Sequence, residues 1–402
     1  MPHLLAAIRY LGSFYVQSAP TSLLAEEAIH QLSAPLCPRD GFTVQANLLM
    51  VIGLDGSSEL KRASAFLTQA EEIALEIGMN QREFASLNGE GLPVLEESWR
   101  RTWWELFVVD GMIAGMHQQS SFWLNQVSST VLLPCDEHEY MTGNIPRPRS
   151  LEEFNDSDFS GDDVVFSSFT YRISAIINLS RILNLPKVGF PDDPAIARTD
   201  AYLVNWTLHL PPTRRLVLEE GKADEMLFQA QMITNASTIL LHKQHSRLDT
   251  SVARSINSCA PHEGVAGGPT DNIHAAKVIQ AAKNISELIA LPLPLLKHTH
   301  FFTCVITLAS IVDLSCWAAL LPPSQDEALK QRIRLYTGAQ KAMAAVWPSA
   351  QKVQKQVKDV AQEVFSSRRL AAEEGFWNRF TEDDMMSSLA EDEIIINGFQ
   401  LT

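Results

Sequence analysis

Two histidine pairs, His242 with His245 and His298 with His300, are the nearest thing in this 402-residue chain to a metal site. Zinc needs three or four nitrogen, sulfur or carboxylate ligands converging on one point. A pair at i, i+3 supplies two, so both pairs read as surface or helix-end histidines, with His242 closing an apolar run where it can cap carbonyls. No His-Glu-x-x-His holds a metal beside a base, and no Gly-x-Ser-x-Gly presents a nucleophile. Gly264, Gly267 and Gly268 lack the Gly-Lys-Ser/Thr ending of a phosphate cradle and read as a plain loop. A helical enzyme handling diphosphates would repeat carboxylates one turn apart for magnesium. Asp162-Asp163, Asp192-Asp193 and Asp383-Asp384 do not, and read as solvated loop or helix-end charge. Cys304 and Cys316 lie in an apolar segment without a basic neighbour to lower their pKa, and are expected to be packing residues.

The bulk composition bounds what can position such residues. Hydrophobic residues make up 46% of the chain, enough for a sizeable core. The five cysteines are scattered without a Cys-x-x-Cys pair, which favours a reducing, intracellular setting. The longest apolar run, from Phe301 to Val312, is about half of what a bilayer crossing needs and stops at Asp313, so no membrane span is expected. The N-terminus has no basic residue ahead of its apolar part and carries Arg9 within it, against a signal peptide. A buried first helix is expected, with Leu4, Ile8, Leu11 and Tyr15 on one face. The net charge of −15 is concentrated: residues 136–163 hold nine acids and two bases, and residues 371–402 hold eight acids and one base. The remainder is about neutral. A chain of this balance has no evident means of gripping a polyanionic duplex unaided.

The elements read as helices throughout. Over 58–78 an apolar stripe (Leu60, Ala63, Phe66, Leu67, Ala70, Ile73, Ala74, Ile77) lies between a capping Ser58 and Gly78, placed for a left-handed end. A second helix is expected from about Glu96 to His117, with Trp99, Trp103, Leu106, Val109, Ile113 and Met116 on one face and Glu96 and Glu97 at the positive end of the dipole. Periodicity fades over 119–161, where prolines accompany acidic residues, so this stretch reads as an extended or partly mobile connection. Helical patterns resume at about 164–185, 198–210, 223–245, 272–290, 299–321, 325–346 and 349–371, punctuated by proline, with a Gly/Pro loop at 257–271. The expectation is an all-α, multi-helix body over residues 1–370, with the irregular acidic segment 119–161, and an acidic tail over 371–402.

The string from Glu97 to Asp110 (ESWRRTWWELFVVD) resembles the signature helix of the regulatory, or middle homology, domain of fungal zinc-binuclear-cluster transcription factors, and residues 62–79 are similar to the companion segment that precedes it. Asn205-Trp206 with Leu210-Pro211, the helix end Leu240 to Lys243, Ala275-Ala276 and Trp347 extend the resemblance over about 50–370. The resemblance singles out Trp99, Arg100, Arg101, Trp103, Trp104 and Asp110 as structural signature residues. Physics gives them packing roles: Trp99 and Trp103 bury large areas, Arg101 can pair with Glu105, and Arg100 can reach Glu96 or stack on Trp104. The six closely spaced cysteines of the family's DNA-binding module, its basic linker and its coiled coil do not occur in this sequence. Zinc is therefore expected only in a missing N-terminal module, and no cofactor in this chain. Either the chain begins downstream of that module or it is a variant that has lost it.

The resemblance implies a non-enzymatic regulator, nuclear although no import signal is seen, governing metabolic or secondary-metabolite genes. Its partners would be the transcription machinery or a coactivator, with homo- or heterodimers among related factors, no direct nucleic-acid binding by this chain alone and no membrane. The tail mixes acids with apolar residues (Asp383, Asp384, Met385, Met386, Leu389, Ile395, Phe399), a composition suited to an activation segment and equally to a solvated tail. The alternatives are a DNA-free modulator that binds a related factor, and a helical small-molecule carrier or enzyme.

Overall fold

The computed structural model describes residues 1–377, apart from 161–163, 187–189, 213–215, 217–222, 259–264, 266, 269, 271, 292–293 and 320–322. Among the described residues there is no β-strand. The helices are α1 (Pro2–Ser13), α2 (Thr21–Leu32), α3 (Gly41–Gly56), α4 (Leu60–Glu76), α5 (Glu83–Leu87), α6 (Pro93–Met116), α7 (Glu137–Thr142), α8 (Leu151–Asn155), α9 (Ser157–Ser160), α10 (Ser168–Leu183), α11 (Pro194–Leu208), α12 (Glu225–His242), α13 (Ile273–Ile289), α14 (Phe301–Ala318), α15 (Pro323–Met343) and α16 (Pro348–Trp377). The all-α reading holds.

One continuous apolar cluster runs from Ala6 in α1 to Val364 in α16. In the first layer, α3 packs on α1, α2 and α4. Helix α6 joins this layer to the second, touching α3, α4 and α5 on one side and α10 and α14 on the other. The second layer passes through α10, α12, α13, α14 and α15 to α16, which returns to α3. Close approach at that return depends on Gly56: a Cβ there would stand 2.5 Å from the Trp347 ring.

Several expectations are corrected. Helix α3 has no periodic stripe because thirteen of its sixteen residues are buried, and a helix apolar all round carries no amphipathic signal. Its start was nonetheless written in Asp40, whose side chain accepts from Thr43 N at 2.9 Å. Helix α1 buries His3, Ala6, Ala7, Tyr10 and Ser13, whereas Ile8 and Tyr15 are about half exposed. Small residues face inward because α1 lies tightly on α3, where a Cβ on Gly53 would meet Tyr10 at 2.5 Å. Ser58 does not cap α4: it takes a left-handed φ of 67°, and Glu59 stands at the N-cap without a side-chain bond. The other end is as read, with Gly78 at φ 74° and Met79 N donating to Ala74 O at 2.8 Å.

Helix α14 has the length and apolarity of a short spanning segment, yet 83% of it is buried inside the fold. The charge that interrupts its apolar run, Asp313, is fully buried and paired: Arg332 donates to both its oxygens at 2.7 and 2.8 Å, and the Tyr336 hydroxyl lies 3.0 Å away. Of the two cysteines expected to be packing residues, Cys316 is buried and free, and Cys304 is disulfide-bonded.

Candidate functional site

Helix α6 starts at Pro93, whose missing N–H costs nothing at a first helical position, and all but a few of its residues from Glu97 onward are buried. Two of its three signature tryptophans hold a backbone carbonyl, and the third does not. Trp99 Nε1 donates to Asn88 O at 2.9 Å, and its ring meets Phe42 edge-on at 4.8 Å between centroids. Trp104 Nε1 donates to Leu132 O at 3.0 Å and its ring meets Phe107. Trp103, only 1% exposed, belongs to the apolar core, and its indole N–H has no hydrogen-bond partner.

The polar centre is Glu97, which is 0% exposed. Its Oε2 accepts from Arg100 Nε at 2.9 Å, and its Oε1 accepts from Arg101 Nε at 3.0 Å and from Cys135 N at 2.9 Å. Arg101 then reaches outward, donating to Glu137 Oε2 at 2.7 Å and Cys135 O at 2.9 Å, with its guanidinium 4.3 Å above the Tyr140 ring. The segment 131–149 is thus strapped to α6 by Trp104, Glu97 and Arg101, and to itself where Leu133 N donates to Arg149 O at 2.7 Å. Residues 128–136 carry no helix, and α7 follows them. One sequence-based pairing is corrected. Arg101 takes Glu97 and not Glu105, which is held by Arg172 of α10 through bonds of 2.6 and 2.9 Å. Arg100 reaches Glu96 at 3.7 Å, as its spacing suggested, and also pairs with Glu97 at 2.9 Å.

Asp110, the last signature residue, accepts from Leu124 N at 3.0 Å and so anchors the start of the same segment. It is also hydrogen-bonded to Glu71 of α4. Both carboxyls are buried. Burial, then the neighbouring Asp110 charge, pushes Glu71 up to about 9; burial raises Asp110 too, against the pull of the Leu124 N–H. The pair therefore shares a proton at neutral pH. Nearby, Asp55 accepts from His117 Nε2 at 3.0 Å and from His300 Nε2 at 2.7 Å. Burial pushes Asp55 up, and the two histidine bonds outweigh it and hold it well below the usual carboxylate range.

The raised Glu71 has a definite consequence for stability. The folded chain keeps this proton where the unfolded chain has lost it, so stability falls as pH rises from the ordinary 4.5 towards 9. Glu71→Gln removes that slope and can donate to Asp110. The expected result is a chain about 1–3 kcal/mol more stable than the parent near pH 8, with the gain vanishing below about pH 4. Urea unfolding across that range reads it; an equal difference at both ends would contradict the shared proton.

The histidines stand at helix ends, as read: His242 closes α12 and His300 is the N-cap of α14, with His245 partly buried. His242 is buried, donating Nε2–H to Asp200 Oδ1 at 2.9 Å, with its Nδ1 2.9 Å from His274 Nδ1; Lys277 also bonds Asp200. His298 and His300 are buried as well. Among the described residues no group of three or more His, Cys, Asp or Glu is arranged to hold a metal ion. Burial pushes the Cys135 and Cys316 thiols up to about 12, away from the thiolate that nucleophilic chemistry requires. Asp193 of the second acidic pair is the N-cap of α11, bonded to Ala195 N at 2.8 Å. Asp383, Asp384, Met385, Met386, Leu389, Ile395 and Phe399, like Asp162, Asp163 and Gly264, lie outside the described residues.

The structure thus draws Trp99, Arg100, Arg101, Trp103, Trp104 and Asp110 into one helix and its immediate supports. It adds residues that sequence reasoning passed over: Glu97 as the hub, and Glu71, Asp55 and His117 beneath the segment that begins at Gln119. The available signal was a carboxylate set inside an apolar run, as in Gly-Leu-Asp55-Gly, Val-Val-Asp110-Gly, and Glu71 one turn after Leu67 on the apolar stripe of α4.

Comparison with known proteins adds what geometry alone does not. The fungal-specific transcription factor domain matches residues 2–247. The C6 finger domain transcription factor iacK of Pestalotiopsis fici is 47% identical over 399 residues, which is 98% of this chain and 59% of that relative. The chain therefore spans about three fifths of the length of the curated relative it matches. No solved structure matches.

Proposed function

This chain belongs to the fungal-specific transcription factor domain family, and from that premise we propose that it is the helical regulatory body of a zinc-cluster transcription regulator. The observation that carries the reading is near-half identity along almost its whole length with a protein named as a C6 finger transcription factor. The architecture agrees in kind. The signature residues serve buried packing and charge pairs that fasten residues 131–149 to α6.

The net charge of −15 leaves the grip on DNA to basic groups outside this body. The regulator acts in the nucleus on a metabolic or secondary-metabolite gene set, works alone or paired with a related factor, and recruits a coactivator through residues 371–402, where acids surround Met385, Met386, Leu389, Ile395 and Phe399. Zinc belongs to the DNA-reading module and not to this chain.

Fusing the whole chain to a heterologous DNA-binding domain in front of a reporter tests this. The expected result is reporter output that falls severalfold when residues 371–402 are removed. Silence from both fusions at matched protein levels would overturn the activation role. In a mobility-shift assay at about 0.15 M salt, the unfused chain should leave duplex DNA unshifted.

A further inference from the structure

Helices α11 and α13 each pack on α12 and meet at one end, where Lys277 is paired with Asp200. Beyond that pair they part, and the space left over α12 is a cleft of about 540 Å³, within the ~300–1,000 Å³ range of small-ligand sites. Leu203 and Trp206 of α11 and Leu288 of α13 form its apolar walls. Val204 and Leu208 also line it while 42% and 73% exposed, so an occupant would take apolar surface out of water. Amides of α12 and α13 lie along its floor. Asn284 Nδ2 donates to Asn235 Oδ1 at 3.0 Å, and Asn284 Oδ1 accepts from Gln280 Nε2 at 2.8 Å, which fixes both asparagines. The side-chain amide of Gln231, one turn before Asn235, is only partly buried, lines the cleft and has no partner among the described residues.

We infer that this cleft binds a small uncharged organic compound with an apolar or aromatic body and a carboxamide edge, which pairs with the Gln231 amide through two hydrogen bonds.

The charges on the cleft argue for a neutral occupant. Asp200 is held by both Lys277 and His242, and the exposed Glu287 stands 3.6 Å from Lys283. Each charge lining the cleft thus has a counter-charge already, and an ionic ligand would shed its hydration for none in return. A carboxamide carries a donor and an acceptor side by side, as Gln231 does, so each satisfies the other. Trp206, at the back of the cleft, donates Nε1–H to Tyr171 O of α10 at 3.2 Å, next to the Arg172 that holds Glu105 of α6. Occupancy thus reaches, through Trp206, the helix that braces the signature helix.

The test uses the whole chain with cinnamamide and cinnamate, a neutral and an anionic molecule of nearly the same shape. It needs neither DNA nor reporter, so its outcome is separate from that of the regulatory reading. Millimolar cinnamamide should raise the melting temperature by a few degrees while cinnamate does not. Gln231→Leu, which breaks no side-chain bond within the fold and should melt with the parent, should weaken the amide at least about tenfold by calorimetry. So should Thr207→Trp, which crowds the cleft from an exposed position and leaves Gln231 in place. Equal shifts from amide and acid, amide binding that survives Gln231→Leu, or no response to the amide would each overturn the assignment.

Discussion

Glu97→Ala is expected to cost about 3–5 kcal/mol, the range found when one member of a buried ion pair is removed and its partners are left behind. Three groups lose their acceptor at once. Arg100, itself buried, keeps only Glu96 at 3.7 Å, Cys135 N is left without a bond, and Arg101 retains Glu137 and Cys135 O at the outer edge. Against a typical total of about 5–15 kcal/mol, a loss of this size is a large share of stability. Glu97→Gln keeps the volume and one acceptor oxygen and should lose about half as much. The damage should also be local before it is global, because Glu97 is the innermost tie of the 131–149 strap. Urea unfolding gives the total, and limited proteolysis should show cleavage between Leu124 and Arg149 ahead of the core helices. A variant within about 1 kcal/mol of the parent would show that the hub is not what holds the strap.

Trp103→Ala should be comparably severe, about 3–5 kcal/mol, since it opens a large cavity at a fully enclosed position. The phenylalanine series is more discriminating. Trp103→Phe loses some packing but no hydrogen bond, and it removes a buried donor that has no partner. Trp99→Phe and Trp104→Phe lose similar packing and also leave Asn88 O or Leu132 O without their donor. Each should therefore exceed Trp103→Phe by about 0.5–1.5 kcal/mol. If Trp103→Phe proved the costliest of the three, an interaction of its indole N–H would have to exist that the fold does not show.

How far the sequence leads depends on whether an interaction is local. Helix ends marked by proline and glycine were legible, as at Pro348 and Gly78, because the backbone itself imposes them, although the start of α6 at Pro93 was read about a turn late, at Glu96. Glu97 with Arg100 and Arg101 was half legible: the i, i+3 and i, i+4 spacings are on the page, but the competing claim of Arg172 on Glu105 comes from 67 residues away. The bond from Cys135 N to Glu97 spans 38 residues and left no periodic trace. Helix α3 was invisible to periodicity because it is buried on nearly every side, and the inward face of α1 was read only in part: Leu4 and Leu11 do pack against the core, but Ala6 and Ala7, small residues that allow close packing, carry a weaker hydrophobic signal than Leu and Ile. The shared proton of Glu71 and Asp110 is a matter of burial, which a pair of acids in two separate helices does not announce.

The central claim is that the tryptophan and arginine helix acts through the fold it holds together and through no chemistry of its own. Its most direct test pairs melting temperature with reporter output, in the heterologous DNA-binding fusion, for Glu97→Gln, Trp99→Phe, Trp103→Phe and Trp104→Phe. Output should track the folded fraction across all four, falling on one curve with the parent. A variant that melts with the parent and yet gives no output would contradict the claim and place a direct functional contact on that side chain.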